Sequence, residues 1–387
     1  MDIVVGHTPR AFDRSVEQAT EFGEREFFLV AGALHDMAKV YELHRARNAG
    51  PPNNNDRILL ANREYGLADL ARQLGLSLDA IHRNDVRPFL RRAALLHADG
   101  VFAYTSQGNA QAIARHVDRG RQLVGILLKD CQDQSFAGRW GLAVGGLLTV
   151  HAPRLAQSVL DDAMRALPDD AALAVAAGAL QEALASPRVQ EAFSAAEQQG
   201  AVRVAVDGPD DRPGEVTRSH APPLGSPASH LRSAVQQLRR AIVLEPRRVE
   251  AHLRLGRALT LLGDLPGGRA ELVRARQESG DETFVAYHAA MFLGDLEERA
   301  GRTDAARSEY GRALAVAPSA QAPRVALSHL LHAFSQPRQA LDLLAGPLTS
   351  AGPRALDDTD DPWLSYGLGA GRLAEAVLAS LWEGCGR

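Results

Sequence analysis

A frame of small and large residues, repeated at nearly constant spacing, restricts the fold of this 387-residue chain more than any other feature. Leu255-Gly256 is followed by Gly268, Leu272 and Ala275. The frame returns at Leu293-Gly294, Ala306, Tyr310, Ala313 and Pro318. An earlier copy is Ala234, Leu238, Ala241 and Pro246, 34 residues before Gly268, Leu272 and Ala275. The next interval is 38, with the extra residues near Ser279-Gly280-Asp281; Leu327, Ala340 and Leu344 follow 34 later. Apolar residues at three- and four-residue spacing specify an amphipathic helix. A small residue set against a large one specifies two helices in close contact. Each unit is therefore a helix pair, and a pair buries its apolar side only by stacking on its neighbours.

The rest of the chain follows a looser version of this rhythm. Apolar spacing predicts helices over 11–47, from Asp56 to Gln73, from Pro88 through Tyr104, and on to about Lys129. Further pairs are expected at 135–150 with 153–167 and at 170–184 with 187–199. Ala156, Leu160, Ala163 and Pro168 repeat the frame of Ala306, Tyr310, Ala313 and Pro318. Only 5% of residues are aromatic while 45% are hydrophobic, with Ala and Leu dominant, which favours packed helices. Gly208-Pro209 through Gly214 and Ala221-Pro222-Pro223 through Pro227 are too rich in Pro, Gly and charge for a helix. The expected organisation is a helical-repeat block over 1–204, a Pro/Gly-rich loop or linker over 205–229, a regular repeat block over 230–350 and a cap over 351–387.

Residues 229–348 resemble the tetratricopeptide repeat (TPR), in which small residues let helices A and B approach and a proline ends helix B. The expected fold is all-α, an α-α superhelix (TPR-like solenoid) of degenerate helix-turn-helix repeats. The chain departs from the repeat pattern in several places. His252 and Ala290 stand where a large aromatic is usual, Leu259 and Glu297 replace a later tyrosine, and Gly268 replaces an alanine. The tail, Asp360-Asp361-Pro362-Trp363-Leu364-Ser365-Tyr366 and then Gly371 to Leu378, is similar to that of bacterial TPR proteins encoded beside von Willebrand factor A-like proteins. Trp363 and Tyr366 are expected to cover the open apolar end of the last repeat. The resemblance also implies a concave groove lined by the A helices that holds a protein partner. Carried onto this chain, its positions are Arg257, Thr260, His288, Asp295 and Glu298.

Signals for catalysis are sparse. His35-Asp36, inside Ala33 to Lys39, resembles the metal-binding pair of HD-type phosphohydrolases. Adjacent helical residues cannot enclose a metal alone; His7 upstream and Asp99 or Asp130 downstream are the available complements. His82, His97 and His116 are scattered along helices. Gly367-Leu368-Gly369-Ala370-Gly371 follows no strand and reads as a turn. No Gly-x-Ser-x-Gly, His-Glu-x-x-His or P-loop pattern occurs. The expected function is a non-enzymatic scaffold without a cofactor, acting on a protein partner or by self-association; an HD-like metal phosphohydrolase in the N-terminal block and a structural subunit of a homo-oligomer or filament are the alternatives.

A net charge of -4, with arginines scattered among acids and Lys39 and Lys129 the only lysines, does not ask for nucleic acid. Cys131 and Cys385 offer neither zinc spacing nor a disulfide framework. No apolar run reaches the length of a membrane span. The chain as given is expected to be soluble, cytoplasmic or exported if a leader is missing from it.

Overall fold

The structure is a computed structural model, which describes residues 87–187, 189–191, 225–350 and 362–384. Secondary structure among these residues is helical throughout. Several helices begin where the sequence supplies a side chain for their unpaired first N–H groups. Asn109, Asp133, Asp170, Ser226 and Asp264 each accept a hydrogen bond from the amide three residues on. Pro153, Pro227, Pro266 and Pro323 stand in first turns, where a missing N–H costs nothing. Gly263 and Gly301 turn the chain between paired helices at φ 91° and 71°, a conformation that a β-carbon disfavours.

The chain divides into two compact units, 1–168 with 373–387, and 169–372. The described helices of the first are α1 (Arg87–Thr105), α2 (Ala110–Cys131), α3 (Gln134–His151) and α4 (Pro153–Ala166). Helix α1 packs on α2, and α3 on α4. Glycines make these contacts close. Gly100 faces His116 across the first pair, and Gly141 and Gly145 face Ala163 and Leu160 across the second, while Gly120 receives the Trp140 ring. The Trp140 indole N–H donates to the Ala94 carbonyl at 2.8 Å, which satisfies its polar atom in the interior.

The second unit contains α5 (Ala171–Ala185), α6 (Pro227–Leu244), α7 (Val249–Leu261), α8 (Leu265–Glu278), α9 (Thr283–Arg299), α10 (Thr303–Val316), α11 (Ala322–Ala333), α12 (Pro337–Ser350) and α13 (Pro362–Tyr366). A last helix, α14 (Gly371–Gly384), starts at its end and continues into the first unit. Helices α5–α6, α7–α8, α9–α10 and α11–α12 form pairs, and each second helix also touches the next first helix. First helices touch one another as well, α5 with α7 and α7 with α9. This is an all-α, TPR-like arrangement of degenerate helix-turn-helix repeats.

The nesting follows one rule. The first helix offers a glycine and the second fills it with a large side chain: Gly178 with Leu238, Gly256 with Leu272, Gly294 with Tyr310. Gly178 places α5 in the same register as the regular repeats. Helix α5, which the sequence assigns to the N-terminal block, thus pairs with α6 from the regular block. The Pro/Gly-rich stretch of 205–229, expected to join two blocks, follows the first helix of one pair in sequence, and its last three residues already belong to the second. The predicted helices over 11–47 and 56–73, with His7, His35, Asp36 and His82, lie outside the described residues.

The departures from the repeat pattern have physical explanations. His252 is buried where an aromatic is usual; its Nδ1 meets Glu271 Oε2 at 2.6 Å and its Nε2 the Pro246 carbonyl at 3.0 Å. Both neighbours are acceptors, which favours the doubly protonated ring, and the two contacts tie α8 and the preceding turn to α7. Buried Glu297 is held between Arg269 of α8 and Arg302 at the start of α10. Gly268 is required because a β-carbon there would stand 2.9 Å from the Gly256 carbonyl.

Two glycine substitutions separate packing from helix propensity. A β-carbon at Gly256 would lie 2.9 Å from both the Gly268 carbonyl and the Leu272 amide. Gly256→Ala should therefore lower stability by about 1–3 kcal/mol, against the gain in helix propensity. Gly311, in α10, has nothing within 4 Å of that position. Gly311→Ala should raise stability by about 0.5–1 kcal/mol. Ala306→Leu, at a fully buried contact, should cost about 1–3 kcal/mol. Chemical denaturation of the three variants checks this ordering.

Candidate functional site

The residues that bring charge and aromatic surface together lie on the first helices of the second unit. The sequence folds this way because Glu250, Arg254 and Arg257 recur at four- and three-residue spacing on α7, and Phe284, His288, Phe292 and Asp295 do so on α9. Helix α5 contributes Glu182. A short return of the chain, α13 and the start of α14, lays Trp363, Tyr366 and Arg372 across them.

Arg254 is the centre. It is 1% exposed; its Nε donates to Glu250 Oε1 at 2.9 Å and its Nη1 to Glu182 Oε2 at 3.1 Å. Arg372 Nη2 donates to the other oxygen of Glu250. The Tyr366 hydroxyl donates to both Glu182 oxygens, at 2.9 and 3.1 Å. Its ring receives the guanidinium of Arg254 at 4.5 Å and that of Arg257 at 4.4 Å. Arg257 also lies 4.7 Å from the Phe292 ring, and Arg372 lies 3.9 Å from the Phe284 ring. Cation–π contacts of this kind strengthen when water is excluded.

An aromatic group completes the site. Tyr366 meets Phe292 edge-on at 4.8 Å, and Trp363 meets Phe292 edge-on at 5.7 Å. His288 is fully buried among Phe284, Tyr287, Phe292, Trp363 and Tyr366, and its Nδ1 donates to the Phe284 carbonyl at 2.7 Å.

The ionisation states follow from these contacts. Burial opposes the charge of Arg254, but Tyr366, Glu250 and Glu182 outweigh it and hold the group above its ordinary value. Burial also opposes the charge of Glu250, yet Arg254 and Arg372 keep its carboxyl below the usual range. Tyr366 is pushed up by burial and by Glu182, so its hydroxyl remains a donor. Burial, with Arg254 and Arg257 adding to it, lowers His288 to about 4 and keeps it neutral, although its bond to the Phe284 carbonyl acts the other way.

The positions carried over from the TPR resemblance are dispersed in depth. Arg257 is half-buried between two rings. Thr260 is buried, and its hydroxyl donates to the Gly256 carbonyl. His288 is part of the aromatic group. Asp295 keeps solvent exposure and pairs with Arg299 at 2.8 Å. Glu298 accepts from the Tyr310 hydroxyl at 3.0 Å and lies near His329. Trp363 and Tyr366, expected as a cap on the last repeat, contact residues of α7 and α9, and the Tyr366 hydroxyl finds its acceptor in Glu182 of α5. Sequence reading missed Glu182, Glu250, Arg254, Phe284, Phe292 and Arg372. The four-residue spacing of Glu250 and Arg254 was a usable signal; Glu182 lies 72 residues from Arg254 and had none.

Other polar clusters are less suited to chemistry. His97 and His116, in the first unit, place their Nδ1 atoms 3.0 Å apart, and burial lowers them to about 3 and about 4. Among the described residues no group of three His, Cys, Asp or Glu side chains could hold a metal. No described helix is long and apolar enough to cross a membrane.

No family model matches the chain, and no curated protein matches it. Similar solved structures include MamA, 13% identical, covering 51% of this chain and 87% of that one, with a TM-score of 0.33. A thermophilic TPR protein of Thermus thermophilus is 20% identical over 59% of this chain and 96% of its own, with a TM-score of 0.33. A human IFIT1 dimer with m7Gppp-AAAA is 12% identical over 85% of this chain and 71% of its own, with a TM-score of 0.38. The class that the helix nesting itself defines is a TPR-like helical-repeat protein.

Removing one partner from a buried ion group leaves the others unpaired. Arg254→Ala should cost about 3–5 kcal/mol, and Tyr366→Phe about 1–2 kcal/mol, in denaturant titration. Two histidines should show opposite pH dependence. His252 is raised by its bond to Glu271, so its contribution is complete below about 6.5 and is lost as pH rises through the folded value. His288 is lowered, so its contribution is present above about 6.5 and is lost as pH falls toward about 4. His252→Gln should therefore cost more at pH 6 than at pH 9, and His288→Gln should flatten the loss of stability between pH 6.5 and 4.5.

Proposed function

We propose that this chain is a non-enzymatic helical-repeat scaffold that binds a protein segment on the face formed by α5, α7 and α9. One observation carries the reading. That face already accommodates a short helix, Pro362–Tyr366, through a buried hydroxyl and ring contacts with aromatic and arginine side chains, and Arg372 just beyond the helix adds an ion pair. A surface that holds one peptide helix in this manner has the chemistry to hold another.

Arg257, Asp295 and Glu298 retain exposure and are the proposed contact positions; Thr260 and His288 support them from beneath. A protein fits better than a nucleic acid. Glu182 and Glu250 neutralise the buried arginines of the face, so no uniform positive stripe is offered to phosphates. The tail's similarity to TPR proteins encoded beside von Willebrand factor A-like proteins makes a protein of that kind the first partner to test.

A photo-crosslinking residue placed at Asp295 in the full chain should capture a discrete partner in native extract. The same residue at Val243 of α6, 80% exposed on a second helix, should not. Equal capture from the two positions, or none from Asp295, would refute binding on this face. The capture should weaken as salt rises, because Asp295 and Glu298 are solvent-accessible charges.

A further inference from the structure

The geometry points to residues 362–372 as an internal occupant of a peptide site, displaced by a partner protein that presents a short helix with an aromatic residue, a tyrosine three positions on and a basic side chain beyond. This rests on the binding face proposed above and names its partner chemistry and its regulation.

The first argument is that the carboxylates of the face keep a cationic partner without the occupant. Glu182 and Glu250 both remain paired with Arg254 when α13 is lifted away, and all three belong to α5 and α7. With Arg257 the face then carries two carboxylates and two guanidiniums and is charge-balanced. An element that supplied the sole partner of a buried ion would leave that charge uncompensated on removal. Here its removal takes away Arg372, the one cation in excess, together with the Tyr366 hydroxyl.

The second argument is that the occupant is lightly held. Of the five residues of α13 only Tyr366 is buried. Trp363 is 37% exposed and Leu364 59% exposed, so much of the apolar surface of this segment stays in water. Within α13 the buried contact therefore concentrates in a single inserted side chain, the pattern of a hot-spot anchor in an interface.

The third argument concerns specificity. The Tyr366 ring meets two guanidiniums, and both oxygens of Glu182 lie beyond it within hydrogen-bond distance of its hydroxyl. A phenylalanine in this place would leave Glu182 without that donor; a tyrosine satisfies it. Phe292 and His288 receive the ring three residues earlier, and Glu250 with Phe284 receives a cation six residues later. These three subsites define the ligand.

The test uses the full chain and a fluorescein-labelled peptide of residues 360–373. Binding is read by anisotropy for wild type, for Trp363→Ala/Tyr366→Ala, and for that double variant with Arg257→Ala added. Thermal melts confirm that each is folded. If the double variant does not fold, Trp363→Ala alone, which alters a partly exposed ring, carries the comparison. The expected result is at least ~10-fold tighter binding to the double variant than to wild type. That gain should be lost when Arg257→Ala is added, or when the peptide's tyrosine is replaced by phenylalanine. Equal affinity for wild type and the double variant would overturn the internal occupant while leaving the face as a binding surface. No binding to any folded variant would overturn the named ligand chemistry. The Asp295 crosslinking result then decides separately whether the face binds proteins at all.

Discussion

The contact on which the second unit depends is the close approach of paired helices at glycine. At Gly256 and Gly268 each backbone stands where the other's β-carbon would be, and Leu272 fills the space beside them. This approach fixes the roll of α7 about its axis. One side of the helix is committed to α8. Arg254 and Arg257 are thereby directed to the side shared with α5 and α9. A helix pair held farther apart would leave that roll free, and the buried ion group would lose its alignment.

Burying Arg254 is costly in itself, since a guanidinium loses its hydration in the interior. Glu182 and Glu250 offset that loss by direct hydrogen bonds, and the Tyr366 ring covers a face of the cation. A well-packed apolar substitute could match such a group in stability. What the ions supply is specificity: the phenol hydroxyl has one place to go. The same logic explains Glu297, held between two arginines from neighbouring pairs, and His252, held between a carboxylate and a carbonyl. Polar residues at repeat positions that are usually aromatic thus become ties between successive pairs.

Much of the architecture was legible in the sequence. Leu255-Gly256 and Leu293-Gly294 gave the register of paired helices, whereas Pro227, read as part of the linker, opens α6. The pairing of α5 with α6 was not legible, because Gly178 sits in an alanine-rich run whose apolar pattern has no clear side, and a long intervening stretch separates the partners. The candidate site was legible only in part. Arg257 and His288 follow from their repeat positions. Glu182 does not, since nothing local distinguishes it from any helical glutamate.

The tail shows the same division. Trp363 and Tyr366 read as aromatic anchors; the structure buries Tyr366 and leaves Trp363 37% exposed. The buried Tyr366 hydroxyl finds its acceptor in Glu182, on a helix 184 residues away in the chain. The sequence by itself determined that this chain builds helix pairs, because periodicity and small-to-large spacing act over one or two turns. Only the tertiary structure decided which charges meet, because Glu182, Arg254 and Tyr366 become neighbours through stacking across more than a hundred residues.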